Sequence, residues 1–154
     1  MADVKKGIIL KGIGGLYFVE TADAVFECKA RGIFRKSGQK PLVGDEVDIL
    51  IGEDGANNTI EKIYPRRSEL MRPPVSNLDR LFILSSVRDP NPSTLIIDKM
   101  TAIACWKNIE PVIVITKDDL GDTSELRDIY EKAGIPFFSV SSRDGRGADE
   151  VKAM

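Results

Sequence analysis

The chain has no histidine and only two cysteines, Cys28 and Cys105, set far apart. The first absence excludes imidazole acid–base catalysis and His-rich metal sites. The second leaves neither a disulfide framework nor a metal cluster and suits a reducing compartment, so a cytoplasmic protein is expected. No apolar run approaches the length needed to cross a bilayer. The opening Met1-Ala-Asp-Val-Lys-Lys-Gly7 lacks the apolar core of a secretory signal, so no membrane association is expected. A surplus of positive charge is missing too. Lys and Arg number 22 against 24 Asp and Glu, so any nucleic-acid surface must be local. No G-x-x-x-x-G-K-[ST] loop occurs anywhere. Gly12-Ile-Gly-Gly-Leu-Tyr17 has Tyr where a third glycine is needed, and Lys36-Ser37 follows Arg35 rather than glycine.

What remains is ordinary globular material, 42% apolar and 30% charged over 154 residues. Residues 1–65 alternate in short apolar stretches with glycine-rich turns. Lys6–Leu10, Leu16–Val19, Val25–Cys28, Val47–Ile51 and Thr59–Tyr64 read as five strands. Their number and span predict an all-β, OB-type five-stranded barrel. Residues 66–78 read as a basic, proline-rich connector, because Pro73-Pro74 forbids a continuing helix or central strand. From residue 79 to 154 the pattern becomes βαβαβ. Arg80–Val87, Pro111–Ile115 and Pro136–Ser141 are apolar runs that predict strands of a parallel sheet. Arg80–Val87 reads as covered on both faces. A helix is expected from Ser93 or Thr94, burying Ile96, Met100 and Ile103. Asp122-Thr-Ser-Glu125 resembles a capping box for a second helix. Its predicted inner face is Leu126, Ile129, Tyr130 and Ala133, with Gly134 as its C-terminal cap.

Three segments carry chemistry. The strand at Pro111–Ile115 runs into Thr116-Lys117-Asp118-Asp119, a Thr-Lys-x-Asp turn at the carboxyl end of a predicted parallel strand, where open α/β sheets bind ligands. Guanine offers N1–H and a 2-amino group as donors, and one carboxylate at the fourth position accepts both in a fork that adenine cannot match. The lysine stem is able to pack over the base. Thr116 stands where Asn usually bonds the base, and keeps only a hydroxyl. Ser141-Ser142-Arg143 ends the next strand, where a backbone N–H is placed to meet guanine O6. Each motif alone also reads as a polar turn; in sequence, each ending a strand, they are more specific. We take Thr116, Lys117, Asp118, Asp119, Ser141 and Ser142 as candidate guanine-binding residues, and assign no catalytic or metal-binding residue.

The third segment is basic. Lys29, Arg31, Arg35, Lys36 and Lys40 cluster without an acidic neighbour, Phe34 interleaves, and Arg66 and Arg67 add charge. Barrels of this type bind nucleic acid through a positive groove with aromatic platforms. A charge run is as often a solvated hairpin rim.

Gly15-Leu-Tyr-Phe-Val19, Lys29-Ala-Arg-Gly32, Pro41-Leu-Val-Gly-Asp45, Pro65-Arg-Arg-Ser-Glu-Leu-Met-Arg-Pro-Pro-Val-Ser-Asn-Leu-Asp79 and the strand leading to Thr116–Leu120 together resemble one family. It is the ribosome small-subunit-dependent GTPase A family, bacterial circularly permuted GTPases of 30S subunit maturation. The resemblance implies an OB domain contacting 16S rRNA of the 30S subunit, followed by a permuted GTPase domain whose guanine-reading motifs precede its phosphate loop. It also implies GTP and Mg²⁺ as ligands, and zinc in a C-terminal domain. The phosphate loop, switches and zinc domain have no counterpart in these residues. The expectation is therefore a chain cut short before the phosphate loop, monomeric and inactive alone toward GTP. A non-catalytic rRNA-binding module is the second reading. An unrelated OB-type translation factor is a third, which leaves Thr116–Asp119 unexplained.

Overall fold

The structure is a computed structural model. It describes residues 3–36, 38–52 and 57–154, with the side chains of Arg35 and Lys36 outside that description. Two compact units divide the chain, Met1–Leu78 and Asp79–Met154.

In the first unit, alternation of apolar and polar residues lets each strand bury one face. The strands are β1 (Val4–Ile13), β2 (Leu16–Thr21), β3 (Val25–Ala30), β4 (Glu46–Leu50) and β5 (Asn58–Ile63). They close into a barrel in the order β1-β2-β3-β5-β4. Neighbours are antiparallel except β3 and β5, which run parallel. Ile9, Val19, Cys28, Val47, Ile49 and Ile60 fill its interior. The five-strand expectation holds. β1 extends past Leu10, because an irregularity between Ile9 and Lys11 lets Lys11–Ile13 stay paired with β2. A short helix, α1 (Gly32–Lys36), follows β3. It occupies part of the basic segment, where no helical period is visible.

The predicted connector is ordered. β6 (Glu69–Met71) and β7 (Pro74–Ser76) form an antiparallel hairpin. Pro74 opens its strand, where a missing N–H is tolerated. The hairpin joins the barrel unit through a bridge between Val43 and Val75 and through Ser76 N–H donating to Val43 O at 2.9 Å. Gly44 permits this approach: it has φ 90°, and a Cβ there would lie 2.1 Å from Ser76 O.

In the second unit, β8 (Arg80–Ser86), β9 (Glu110–Thr116) and β10 (Phe137–Val140) form a parallel sheet in the order β10-β9-β8. The helices are α2 (Thr94–Trp106), α3 (Ser124–Lys132) and α4 (Ala148–Lys152). The βαβαβ expectation holds, with three corrections. First, only β9 is covered on both faces, its residues Pro111–Ile115 all buried. β8 is an edge strand of the described sheet, and its Phe82 and Leu84 are exposed. Second, α2 turns a different stripe inward. Ile97, Thr101 and Ala104 are buried, while Ile96, Met100 and Ile103 are 58%, 37% and 50% exposed. The spacing is the same but displaced by one residue, which brings small side chains to the sheet. Third, the inner face of α3 is narrower than predicted. Tyr130 is buried and Leu126 half-buried, but Ile129 and Ala133 are exposed. Tyr130 stacks on Phe137 and donates to Asp98 Oδ1 at 2.8 Å, tying α3 to α2. Gly134, with φ 76°, follows the last turn of α3 as expected.

Candidate functional site

β9 and β10 are neighbouring parallel strands, so the turns that follow them lie side by side. β9 ends at Thr116, whose hydroxyl donates to Ser85 O of β8 at 3.1 Å and is thus spent inside the sheet. Lys117 then takes a left-handed conformation (φ 59°, ψ 36°), reversing the chain into a 3-10 turn over Asp118–Leu120. Its ammonium donates to Arg88 O at 3.1 Å and to Asp89 O, closing the loop after β8.

The two adjacent carboxylates have different partners. Asp118 accepts from Thr123 Oγ1 at 3.3 Å and from Arg146 Nη1 at 3.1 Å. Asp119 Oδ1 accepts the buried Ser141 hydroxyl at 2.9 Å. Among the described residues, Asp119 Oδ2 faces only the Arg143 guanidinium, at 3.9 Å, and the side chain is 20% exposed. Ser141 Oγ also accepts the Arg143 N–H at 3.3 Å. Thus Asp119 and Ser141, the fourth residue of one motif and the first of the other, are in contact. Thr116, Lys117 and Asp118 are committed to protein partners, and Ser142 is exposed.

Electrostatics follow the same division. The Arg146 N–H holds the Asp144 carboxyl below the usual range, and Asp144, then Asp118, raise the Arg146 guanidinium. The Ser124 N–H and hydroxyl hold the Asp122 carboxyl below the usual range, and Asp122 meets the entrance to α3 without the expected reciprocal box. A carboxylate with one oxygen fixed by a serine and the other open is suited to accept the N1–H and 2-amino donors of guanine. Among the described residues, no group of three or more His, Cys, Asp or Glu is placed to hold a metal ion.

The basic barrel residues fare unevenly. Lys29 and Lys40 are exposed, and Lys40 lines a cavity of about 360 Å³ with Tyr17 and Phe34. Arg31 is paired with Glu61. Arg66 is 15% exposed and bound to Asp45, Glu69 and the Lys40 carbonyl, so its charge is spent within the unit. Arg67 is exposed, its N–H donating to Asn77 Oδ1. The side chains of Arg35 and Lys36 lie outside the described residues. Phe34, expected as an exposed platform, is 8% exposed and belongs to the barrel core. Sequence reasoning missed a different set of aromatics. Phe18, Phe26 and Tyr64 lie half-buried under Lys11, Lys5, Lys6 and Lys62, with ammonium-to-ring distances of 4.3–6.0 Å. Phe18, between buried Tyr17 and Val19, and Tyr64, after buried Ile63, follow the outward phase of the alternation, whereas Phe26 shares the inward phase of Cys28 and packs partly against the barrel core.

Comparison with known families matches residues 6–57 to the RsgA N-terminal domain and residues 63–154 to the RsgA GTPase domain. The chain belongs to the RsgA family. A relative from Alkaliphilus metalliredigens, named small ribosomal subunit biogenesis GTPase RsgA, is 41% identical over 155 residues, covering 98% of this chain and 53% of the relative. A relative of the same name from Ruminiclostridium cellulolyticum is 41% identical over 151 residues, covering 95% and 50%. The chain therefore spans about half the length of the curated RsgA relatives it matches. Among solved structures, YjeQ from Thermotoga maritima superposes with a TM-score of 0.82 at 31% identity, over 98% of this chain and 56% of that one. YloQ, described as a circularly permuted GTPase, gives 0.78 at 31% identity over 92% and 53%. The OB-type barrel followed by a parallel α/β sheet is the architecture of these RsgA-related structures.

Proposed function

We propose that this chain serves small ribosomal subunit biogenesis as part of a GTPase. On this reading, Asp119 reads guanine, Ser141 holds Asp119 in place, and the barrel contacts 16S rRNA of the 30S subunit in the cytoplasm. The observation that carries it is the 2.9 Å contact between Asp119 and Ser141 at the carboxyl ends of two adjacent parallel strands. The names of the relatives support the ribosomal assignment. The residues fit the base of GTP. Among the described residues, none are grouped to hold Mg²⁺ or zinc. Phosphate contacts fall to the part of the RsgA length that the chain does not span.

The test is a titration of the ¹⁵N-labelled chain with GMP and, separately, AMP in the millimolar range. GMP is expected to shift the amides of Lys117–Asp119 and Ser141–Arg143 more strongly than AMP. Equal responses, or none, sink the guanine reading.

Exposed Lys29 and Lys40 and the lysine-covered aromatics favour a second reading, in which the barrel alone supplies ribosome binding. Sedimentation with 30S subunits separates the two. Binding lost in Lys29→Glu/Lys40→Glu, with GMP shifts absent in the parent chain, favours the module.

A further inference from the structure

The two turns that meet at Asp119 and Ser141 are tied a second time, by a side chain with no part in base recognition. Arg146 Nη1 donates to Asp118 Oδ2 at 3.1 Å and Nη2 to Asp144 Oδ2 at 2.9 Å. Its backbone takes part as well. Arg146 O accepts the Ser141 N–H at 3.0 Å, and Arg146 N–H donates to Asp144 Oδ1 at 3.2 Å. The next residue, Gly147, has φ 72°, and a Cβ there would lie 2.1 Å from Ser139 O. The backbone beside Arg146 is therefore seated closely against β10. On the other turn, Asp118 is held by Thr123, whose hydroxyl shares a hydrogen bond with Ser139 Oγ at 2.8 Å.

Asp118 needs such a partner. Two consecutive carboxylates in one tight turn repel each other. An unpaired Asp118 would also compete with Asp119 for any donor that enters. Arg143 is not that partner, because its guanidinium faces Asp119 instead, at 3.9 Å. Arg146 neutralises Asp118 and, through the same guanidinium, fastens the first turn to the second.

Resting on the guanine reading above, we propose that Arg146 is a positioning residue of the base site, clamping Asp118 so that Asp119 alone presents an open carboxylate oxygen to guanine. Arg146 is 59% exposed, so the clamp acts through solvent-screened ion pairs. Its removal should weaken base discrimination about two- to fivefold rather than abolish it.

The experiment compares the parent chain with Arg146→Gln, Arg146→Lys and Asp119→Asn. The readouts are GMP and AMP affinities from amide shifts, and amide exchange without ligand. The GMP-to-AMP affinity ratio removes the general effect of a lost charge on the phosphate, which both nucleotides share. Arg146→Gln is expected to lower that ratio about two- to fivefold. It should also speed exchange at the Ser141 and Gly145 amides while leaving Ile113 and Ile115 protected. Arg146→Lys keeps one ion pair and should recover part of both effects. A ratio and Ser141 exchange unchanged in Arg146→Gln, alongside a ratio lost in Asp119→Asn, overturn the proposal and leave the guanine reading intact. A ratio indifferent to Asp119→Asn removes the guanine reading itself, and the positioning role falls with it.

Discussion

Asp45 is fully buried and takes one hydrogen bond on each carboxylate oxygen from a single side chain: Arg66 Nε reaches Oδ1 at 2.7 Å and Nη2 reaches Oδ2 at 2.8 Å. Ser76 Oγ and the Leu42 N–H complete the shell at 2.6 and 2.8 Å. Four donors from three segments thus converge on one carboxylate, which joins the approach to β4, the strand exit at Arg66 and the 69–76 hairpin. Asp45 holds the Arg66 guanidinium above its ordinary range.

This geometry makes Asp45→Ala the most damaging single change we expect in the barrel unit. Removing one member of a buried, hydrogen-bonded pair leaves the other charge uncompensated and costs about 3–5 kcal/mol. Asp45→Ala combined with Arg66→Ala should cost less than the sum of the two, since the second change removes the orphaned charge. Urea denaturation followed by amide exchange in β4 and β5 measures both. A loss below about 1 kcal/mol for Asp45→Ala, the range of an exposed pair, would contradict the buried-hub account.

The proposed guanine site leads to a quantitative expectation for this 154-residue chain. Three base contacts, one or two of them charged, yield about 1.5–3 kcal/mol each at best. Association costs at least about 4 kcal/mol. The remainder corresponds to millimolar binding at most. Calorimetry with GTP should therefore show no saturation in the micromolar range and no hydrolysis. Saturation at micromolar GTP would mean that phosphate contacts exist outside the Asp119–Ser141 pair.

What the sequence disclosed divides along physical lines. The strands were legible because a period of two needs only local residues, and β9 was legible because burial on both faces leaves an unbroken apolar run. That the two motifs each end a strand was legible, whereas the contact of Asp119 with Ser141 came only with the pairing of β9 and β10, since parallel strands place their following turns together. The orientation of α2 was not. Hydrophobicity favours Ile96, Met100 and Ile103, but the sheet accepts Ile97, Thr101 and Ala104, and side-chain volume at a helix–sheet contact is a property of both partners. Arg66 was misjudged for a related reason. A basic run reads as surface until its buried acid is known, and Asp45 lies in a different segment. Helix α1, only five residues long, carries too little period to detect.

The two cysteines should differ sharply toward thiol reagents. Cys105 is exposed, whereas Cys28 is buried in the barrel, and burial pushes its thiol up to about 11. The thiolate is the reactive form, so Cys28 is doubly protected. Labelling of the native chain near neutral pH should consume one thiol quickly, and Cys105→Ser should abolish that phase. Fast labelling that survives Cys105→Ser would show that the barrel opens far more readily than its packing implies.

Burial of the Cys28 thiol also makes barrel stability depend on alkaline pH, with a definite sign. The ordinary thiol value is 9.0 and the folded one about 11, with burial as the main cause. Below 9.0 both states hold the proton, and the stabilisation is fully present. Between the two values the unfolded chain has lost its proton while the folded barrel retains it, so unfolding becomes easier as pH rises. Above about 11 both are ionised and no further loss follows. A tenfold difference in proton affinity between the two states is worth about 1.4 kcal/mol, so the two tenfold steps between 9.0 and about 11 lose on the order of 3 kcal/mol across the window. Tyr130, pushed up to about 12 by burial and then by its bond to Asp98, acts in the same direction at higher pH, but in the other unit. Denaturation of the barrel at about pH 8 and about pH 10.5 should reveal a decline that Cys28→Ala removes, although that variant starts lower because of its cavity. An equal decline in Cys28→Ala would assign the pH dependence to groups other than the buried thiol.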